Sequence, residues 1–396
     1  MQKYPLPKGF LANGVHCEVK RKRKDLAVLY SEDPCDVSAL FTRNKVKAAP
    51  VIVAQKQLKK IEQIRAVVIN SGNANCMTGQ RGIYDTLNMA KKAAELLNVK
   101  PDEIVVSSTG IIGKFMPMEK ILAGMDPLVF GISRHGLFSA VEGIMTTDRF
   151  RKIVTRTFKS GGKEITMTGI AKGAGMIKPD MATMLCYIMT DAKMSKGAIK
   201  KALKKSTDIS FNAITVDGDM STNDTVMLLA NGRAGNRIIR SRGKDFEVFQ
   251  KNLNDICKEL AVMIVRDGEG ASKVIMVEVK GAKTNSDAKK IAEAVADSLL
   301  VKCAVLGGDP NWGRIASSAG ASGANFDLEK MEIILDGVTF FKNNKTVPHL
   351  AEKQVSVFKG EDVSIVINLH DGNKSAACYS CDISKKYITF NSFYTT

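Results

Sequence analysis

Histidine and tryptophan are scarce in this chain, at four and one in 396 residues. The four histidines, His16, His135, His349 and His370, stand in unrelated contexts. That removes the usual side-chain base of a hydrolytic triad and the commonest metal ligand. Long apolar runs are missing too, so nothing reads as a bilayer span. The opening segment from Met1 has no hydrophobic stretch of the kind that directs export, so a cytoplasmic setting without membrane contact is expected. Repeats, low-complexity linkers and coiled-coil heptads are absent. Acidic residues are outnumbered 41 to 58, leaving a net charge of +17. Such a charge invites a nucleic-acid partner. Yet aromatics make up only 6% of the chain, and Lys20-Arg-Lys-Arg-Lys24 is the single dense basic run, placed like a turn between apolar stretches. Lys200, Lys201, Lys204 and Lys205 spread over one helix face, as solvated lysines do, and no nucleic-acid binding is expected.

Eight cysteines are present, scattered through a long chain with no export signal, which predicts reduced thiols. Cys378-Tyr-Ser-Cys381 is a lone C-x-x-C with no second ligand pair, and its alternating neighbours read as strand, so no metal site is expected. Thr215-Val-Asp-Gly-Asp-Met-Ser-Thr-Asn-Asp224 imitates a calcium loop. It has Thr222 where the glycine belongs and Leu228 where the closing carboxylate belongs, so it reads as a turn between strands. Gly307-Gly-Asp-Pro-Asn-Trp-Gly-Arg314 has the glycines of a phosphate cradle but neither the lysine–hydroxyl pair nor the dinucleotide spacing.

The length predicts two or three domains, and punctuation suggests units at 1–193, 194–281 and 282–396. Strands are predicted at Leu26–Leu29, Ala39–Phe41, Pro50–Val53, Arg65–Asn70, Glu103–Ser107, Val301–Leu306, Glu332–Leu335, Val338–Phe341 and Val363–Leu369. Helical spacing marks Ile83–Leu97, the segment from Met116 onward, Asp245–Ile264 and Ser286–Leu300. The tail from Thr389 is apolar enough to dock rather than fray.

The rest of the chain is organised around the stretch from Lys172 to Asp191. Lys172-Gly-Ala-Gly-Met-Ile177 is glycine-rich and Pro179 follows, so this half reads as a sharply bent loop. Met184 to Met189 reads as a buried strand. Thr183 stands at the junction, and a threonine opening a strand is ordinarily structural, since β-branching suits the pleat. It gains chemistry if the Ala182–Thr183 bond is cut. The freed α-amine, with an ordinary pKa of about 8, is then a general base beside its own hydroxyl. The scarcity of histidine favours a nucleophile that brings its own base. Within Ser108-Thr-Gly-Ile-Ile-Gly113, Gly110 permits close backbone approach, and the Thr109 hydroxyl and nearby amides are uncharged donors suited to an oxyanion. An ordinary strand–helix turn would carry the same residues. Thr146 lies in another hydroxyl-rich loop, Met145-Thr-Thr-Asp148. Glu269, between glycines in Asp267-Gly-Glu-Gly270, is either a solvated loop carboxylate or a ligand-facing one.

Together these motifs resemble those of the ornithine acetyltransferase (glutamate N-acetyltransferase) family, self-processing enzymes of cyclic arginine biosynthesis. The likeness runs from Gly9-Phe-Leu-Ala-Asn-Gly14 to the last residue. Lys172-Gly-Ala-Gly-Met-Ile177 with Met181-Ala-Thr-Met-Leu185 carries it most specifically. Ser107-Ser-Thr-Gly-Ile-Ile-Gly113, Asp267-Gly-Glu-Gly270 and Asp309-Pro-Asn-Trp-Gly-Arg314 follow in the expected order. Asp180, where the family often has asparagine, and Ser272, where threonine is more usual, are small departures.

The resemblance implies an α+β fold, a layered α-β-β-α sandwich of the self-cleaving aminopeptidase type with smaller C-terminal α+β domains. It implies autocatalytic cleavage between Ala182 and Thr183, with chains 1–182 and 183–396 staying together as a heterotetramer of two of each. Thr183 would be the nucleophile, and Thr109 and Gly110 would stabilise the oxyanion. Thr146, Lys172, Thr183, Glu269, Asn391 and Thr396 would contact the amino-acid substrate. The implied reaction moves acetyl from N2-acetyl-L-ornithine to L-glutamate, ping-pong, through an acetyl-threonine and without a cofactor. Acetyl-CoA is a further donor for some members, and no residue here decides for or against it. The rival of the same architecture is a self-processing aminopeptidase or amidase, with water in place of glutamate. Glu269 and the intact tail favour the transferase.

Overall fold

The computed structural model describes residues 4–178, 184–348 and 356–393. Its first part contains β1 (Phe10–Val15), β2 (Leu26–Phe41), α1 (Ala49–Gln57), β3 (Gln63–Asn73), α2 (Gly79–Leu97), β4 (Ile104–Ile111), α3 (Met118–Phe130) and α4 (Leu137–Ile144). Then come β5 (Lys152–Ser160), β6 (Lys163–Lys172), β7 (Leu185–Thr190), α5 (Lys196–Asp208), β8 (Thr225–Ala230) and α6 (Lys244–Arg266). The strands run in the order β4-β3-β2-β8-β7-β6-β5, with β1 also paired to β2.

The long strand β2 lets one sheet become two layers. Its first half pairs with β1 and its second half with β8, on the same edge, while β3 lies along the other edge. The β2–β3 register breaks between Tyr30 and Cys35. Pro34, which has no N–H for the ladder, sits in that break.

Side-chain alternation then sorts the layers. Ala66 and Val68 of β3 and Ile104 and Val106 of β4 pack under α2 and α3, beside Met89, Ile121 and Leu128. Their neighbours Val67, Ile69 and Val105 face the other way, onto Leu185, Tyr187 and Met189 of β7 and Met227 and Leu229 of β8. On the far side, Cys186, Ile188, Val226 and Leu228 pack on α5 and α6 through Leu203, Phe249, Leu253 and Ile256. The result is an α-β-β-α sandwich, as expected, with every residue of β7 buried.

A second, smaller α+β unit follows: β9 (Val274–Ala282), α7 (Asn285–Asp297), α8 (Leu299–Gly307), α9 (Trp312–Gly320), β10 (Glu332–Leu335), β11 (Val338–Lys342), β12 (Lys345–Thr346), β13 (Asp362–Asn368), β14 (Lys374–Cys381) and α10 (Lys385–Phe393). Its sheet order is β12-β11-β10-β13-β9-β14. A hairpin turning at Asp336-Gly337 joins β10 to β11.

Four expectations need correction. Pro50–Val53 lies in α1, where Pro50 suits the first helical turn. Val301–Leu306 lies in α8, which buries Val301, Ala304 and Val305 and exposes Leu299, Leu300 and Leu306, a helical rather than an alternating pattern. Short apolar runs do not by themselves separate helix from strand. Thr109 and Gly110 belong to β4 rather than to a loop after it. The boundaries at 193 and 281 also move, because 194–281 is divided: β8 sits centrally in the first sheet, and β9 lies in the second, between β13 and β14. There is thus one smaller unit after the sandwich, not two.

Candidate active site

A cleft of about 130 Å³ opens where the ends of β4 and β6, the loop ahead of β8, the turn after α6 and helix α10 converge. At the end of β4 the backbone turns through Gly110 at φ +132°, and a Cβ there would lie 2.4 Å from the Gly72 carbonyl carbon. Only glycine lets β3 and β4 approach this closely at that φ. Beside it, the Lys172 ammonium at the end of β6 donates to the Thr109 hydroxyl oxygen at 3.2 Å. With that oxygen accepting from Lys172, the Thr109 proton is left to be donated elsewhere.

Lys172 is buried, and burial pushes its pKa below the ordinary lysine value, against the opposing pull of Asp148. Asp148 is buried as well. Burial alone would raise its carboxyl, but Lys152 and Lys172 outweigh that and hold it well below the usual carboxylate range. Asp148 also ties the backbone together. Its oxygens accept the Gly173 amide at 2.8 Å and the Thr146 amide at 2.9 Å, fixing both the glycine loop and the hydroxyl loop. Lys152 lies fully buried between Asp148, at 2.7 Å, and Asp267, at 2.5 Å. Arg149 reaches Asp267 from outside at 3.0 Å. This buried ion network was missed in the sequence, where Lys152 stands among other basic residues and looks as solvated as they are.

On the opposite wall, Glu269 points into the cleft, and its amide donates to the Ala174 carbonyl at 2.9 Å. Gly175 leaves room for it: a Cβ there would fall 2.7 Å from the Glu269 carboxylate. The Asn391 side-chain amide of α10 donates to Glu269 Oε2 at 3.0 Å. Tyr387 of α10 donates to Asp217 at 3.3 Å, and Asp217 in turn accepts the Met176 and Ile177 amides at 2.6 and 2.8 Å. Burial raises the Asp217 carboxyl, against those amides. Helix α10 itself buries no residue, so polar contacts rather than apolar docking hold the tail.

Thr109, Gly110, Thr146, Lys172, Glu269 and Asn391 therefore line one cleft, from five separate parts of the chain. Ala182, Thr183 and Thr396 lie outside the described residues. Met184, next to Thr183 in the chain, is held at both ends: its amide donates to Asp224 Oδ1 at 3.0 Å, and its carbonyl accepts from the Thr225 amide at 3.1 Å. Asp217, Asp219 and the 221–223 segment also line the cleft. Their stretch had read as a mere turn, because loop residues carry no periodic signal. Among the described residues no cluster of three or more His, Cys, Asp or Glu is arranged to hold a metal ion. None of their helices is long and apolar enough to cross a membrane.

The family model for the ArgJ family matches residues 11–396. The chain belongs to the ArgJ family. An "Arginine biosynthesis bifunctional protein ArgJ" from Caldanaerobacter subterraneus is 46% identical, covering 100% of this chain and 98% of its own length. Another of that name, from Thermotoga neapolitana, is 44% identical over 99% of this chain and 100% of its own. A crystal structure of an ArgJ protein from Bacillus halodurans aligns with a TM-score of 0.51 and 37% identity, covering 52% of this chain and 98% of that one. The ArgJ match spans the whole sandwich, the cleft and the second unit alike.

Proposed function

We propose that this chain transfers the acetyl group of N2-acetyl-L-ornithine to L-glutamate, and that it becomes active by cutting its own Ala182–Thr183 bond. The observation that carries the reading is one cleft lined by Thr109, Gly110, Thr146, Lys172, Glu269 and Asn391, at the start of the strand that Thr183 precedes in sequence. The half-length of the solved Bacillus halodurans chain fits a protein divided near its middle.

In the uncut chain the Thr183 hydroxyl adds to the Ala182 carbonyl carbon and the C–N bond breaks. Water then hydrolyses the ester, leaving Thr183 with a free amine. In turnover that amine takes the hydroxyl proton as the oxygen attacks the acetyl carbon of the donor. The negative charge on the acetyl oxygen is met by the Thr109 hydroxyl and by backbone donors at Gly110; one such donor is typically worth ~3 kcal/mol of barrier. Ornithine leaves with the proton on its nitrogen. The glutamate amine then attacks the acetyl-threonine carbon and releases N-acetylglutamate, restoring the hydroxyl. Lys172 pairs with a substrate carboxylate and Glu269 with a cationic amine, which suits a charged amino acid. The cycle closes without a bound cofactor. Chains 1–182 and 183–396 stay together, two of each to a heterotetramer.

Intact-mass measurement of the purified protein tests the reading. Two chains are expected, the second beginning at Thr183, with Thr183→Ala remaining whole. Incubation with N-acetylornithine is expected to give N-acetylglutamate only when glutamate is present. Free acetate in place of transfer would overturn the choice in favour of an amidase.

A further inference from the structure

We propose that Asp224 is a positioning residue of this site: through the Met184 amide it sets the Thr183 end of β7 against the Thr109–Gly110 donors. The inference rests on Thr183 being the nucleophile.

Asn223 and Asp224 are neighbours that reach in two directions. The Asn223 side-chain amide donates to the Ser108 carbonyl at 2.8 Å and the Ala74 carbonyl at 2.7 Å, holding the strand that presents Thr109 and Gly110. Asp224 Oδ1 accepts the Met184 amide at 3.0 Å. That N–H belongs to the peptide whose carbonyl is Thr183's own, so fixing it restricts where the threonine hydroxyl can go. The segment is itself anchored. Its carbonyls accept the Thr42 amide (at Asp224) and the Ala48 amide (at Thr222), each at 3.0 Å, and the Thr42 hydroxyl donates to the Ser221 carbonyl at 2.7 Å. One short stretch therefore joins the strand that carries Thr109 and Gly110 to the Met184 amide, which follows Thr183 in the chain.

The carboxyl is more than an amide acceptor needs to be. Asp224 is 1% exposed, and its Oδ2 accepts no well-formed hydrogen bond among the described residues, although the Ser221 and Thr42 hydroxyls lie near the carboxyl. Buried polar atoms are nearly always paired, and an exception calls for an explanation. Burial drives this carboxyl well above the ordinary range, against the Met184 amide and the Lys172 ammonium. A neutral acid adds no negative charge at the Met184 amide, one peptide along the chain from the residue whose amine must stay unprotonated to act as a base.

The test compares wild type with Asp224→Asn and Asp224→Ala, reading chain cleavage by intact mass, kcat and KM for acetyl transfer, and the unfolding temperature. Asparagine keeps a neutral acceptor for the Met184 amide, so Asp224→Asn is expected to cut itself and to keep kcat within ~3-fold of wild type. Alanine removes the acceptor, so cleavage slows and kcat falls ~100-fold with KM within ~3-fold, the loss expected when a reacting group is displaced by about an ångström. If Asp224→Ala is poorly folded, Asp224→Leu, which keeps the volume without the acceptor, takes its place with the same expectation. Wild-type kcat in Asp224→Ala, a loss confined to KM, or an Asp224→Asn as slow as Asp224→Ala would each overturn the proposal. A wild-type protein that is never cut at Ala182–Thr183 would instead overturn the nucleophile reading on which it rests.

Discussion

Lys172 holds the two charges of the cleft in relation to each other. It engages the Thr109 hydroxyl oxygen and sets an amine in a buried place, where Asp148 opposes the lowering of its pKa by burial. Lys172→Met is therefore expected to lower kcat/KM ~100-fold, the size seen when a charge-stabilising group is lost from a dry site. Since burial lowers its pKa, the ammonium is lost at a lower pH than in a free lysine. Activity should fall as pH rises through that lowered value, and a kcat/KM profile flat into the ordinary lysine range would contradict this. Lys20 offers a separate test. Its ammonium donates to the Met145 carbonyl at 2.8 Å, and burial brings its pKa down to about 8. Between about 8 and the ordinary lysine value of 10.5 the unfolded chain binds more protons than the folded one, so stability from this group rises with pH. The stability difference between wild type and Lys20→Met should shift toward wild type across that window, as read by denaturant unfolding at several pH values.

At the level of elements, the glycine loop and the last helix define one wall. Gly175→Ala would drive a methyl against the Glu269 carboxylate; KM for the amino-acid substrate is expected to rise at least ~10-fold, with the unfolding temperature little changed. Removing α10 by ending the chain after Ser384 deletes Tyr387 and Asn391 from the cleft. Because α10 buries no residue, the fold should survive and the loss should appear in KM. The long, strongly periodic segments were legible in the sequence: Ile83–Leu97 and Asp245–Ile264 lie inside α2 and α6. Pro50–Val53 and Val301–Leu306 were not, because four to six apolar residues satisfy a buried strand and one face of a helix equally well. The glycines and hydroxyls of the cleft stood out by composition. Asp148, Asp217 and Asp224 did not, because a buried carboxylate in a loop looks like a solvated one until its partners are known.

For the whole molecule, the sandwich was expected from resemblance, while its wiring was invisible. Nothing in the local sequence says that β2 will serve two partners along one edge, or that 194–281 will feed both sheets. That wiring makes a prediction about the cut protein. After cleavage at Ala182–Thr183, β7 and β8 belong to the second chain, yet they lie between β2 and β6 of the first. The two chains should therefore migrate as one species in native gel filtration and separate only in denaturant.

Two strands held on either side by another polypeptide also impose an order of events. A gene divided at this point, with each part translated alone, would yield one polypeptide with an unfilled slot in its sheet and another with two bare strands, both prone to aggregate. On the proposed cleavage, folding has to come first and scission second, so the bond to be broken serves as scaffolding for its own removal.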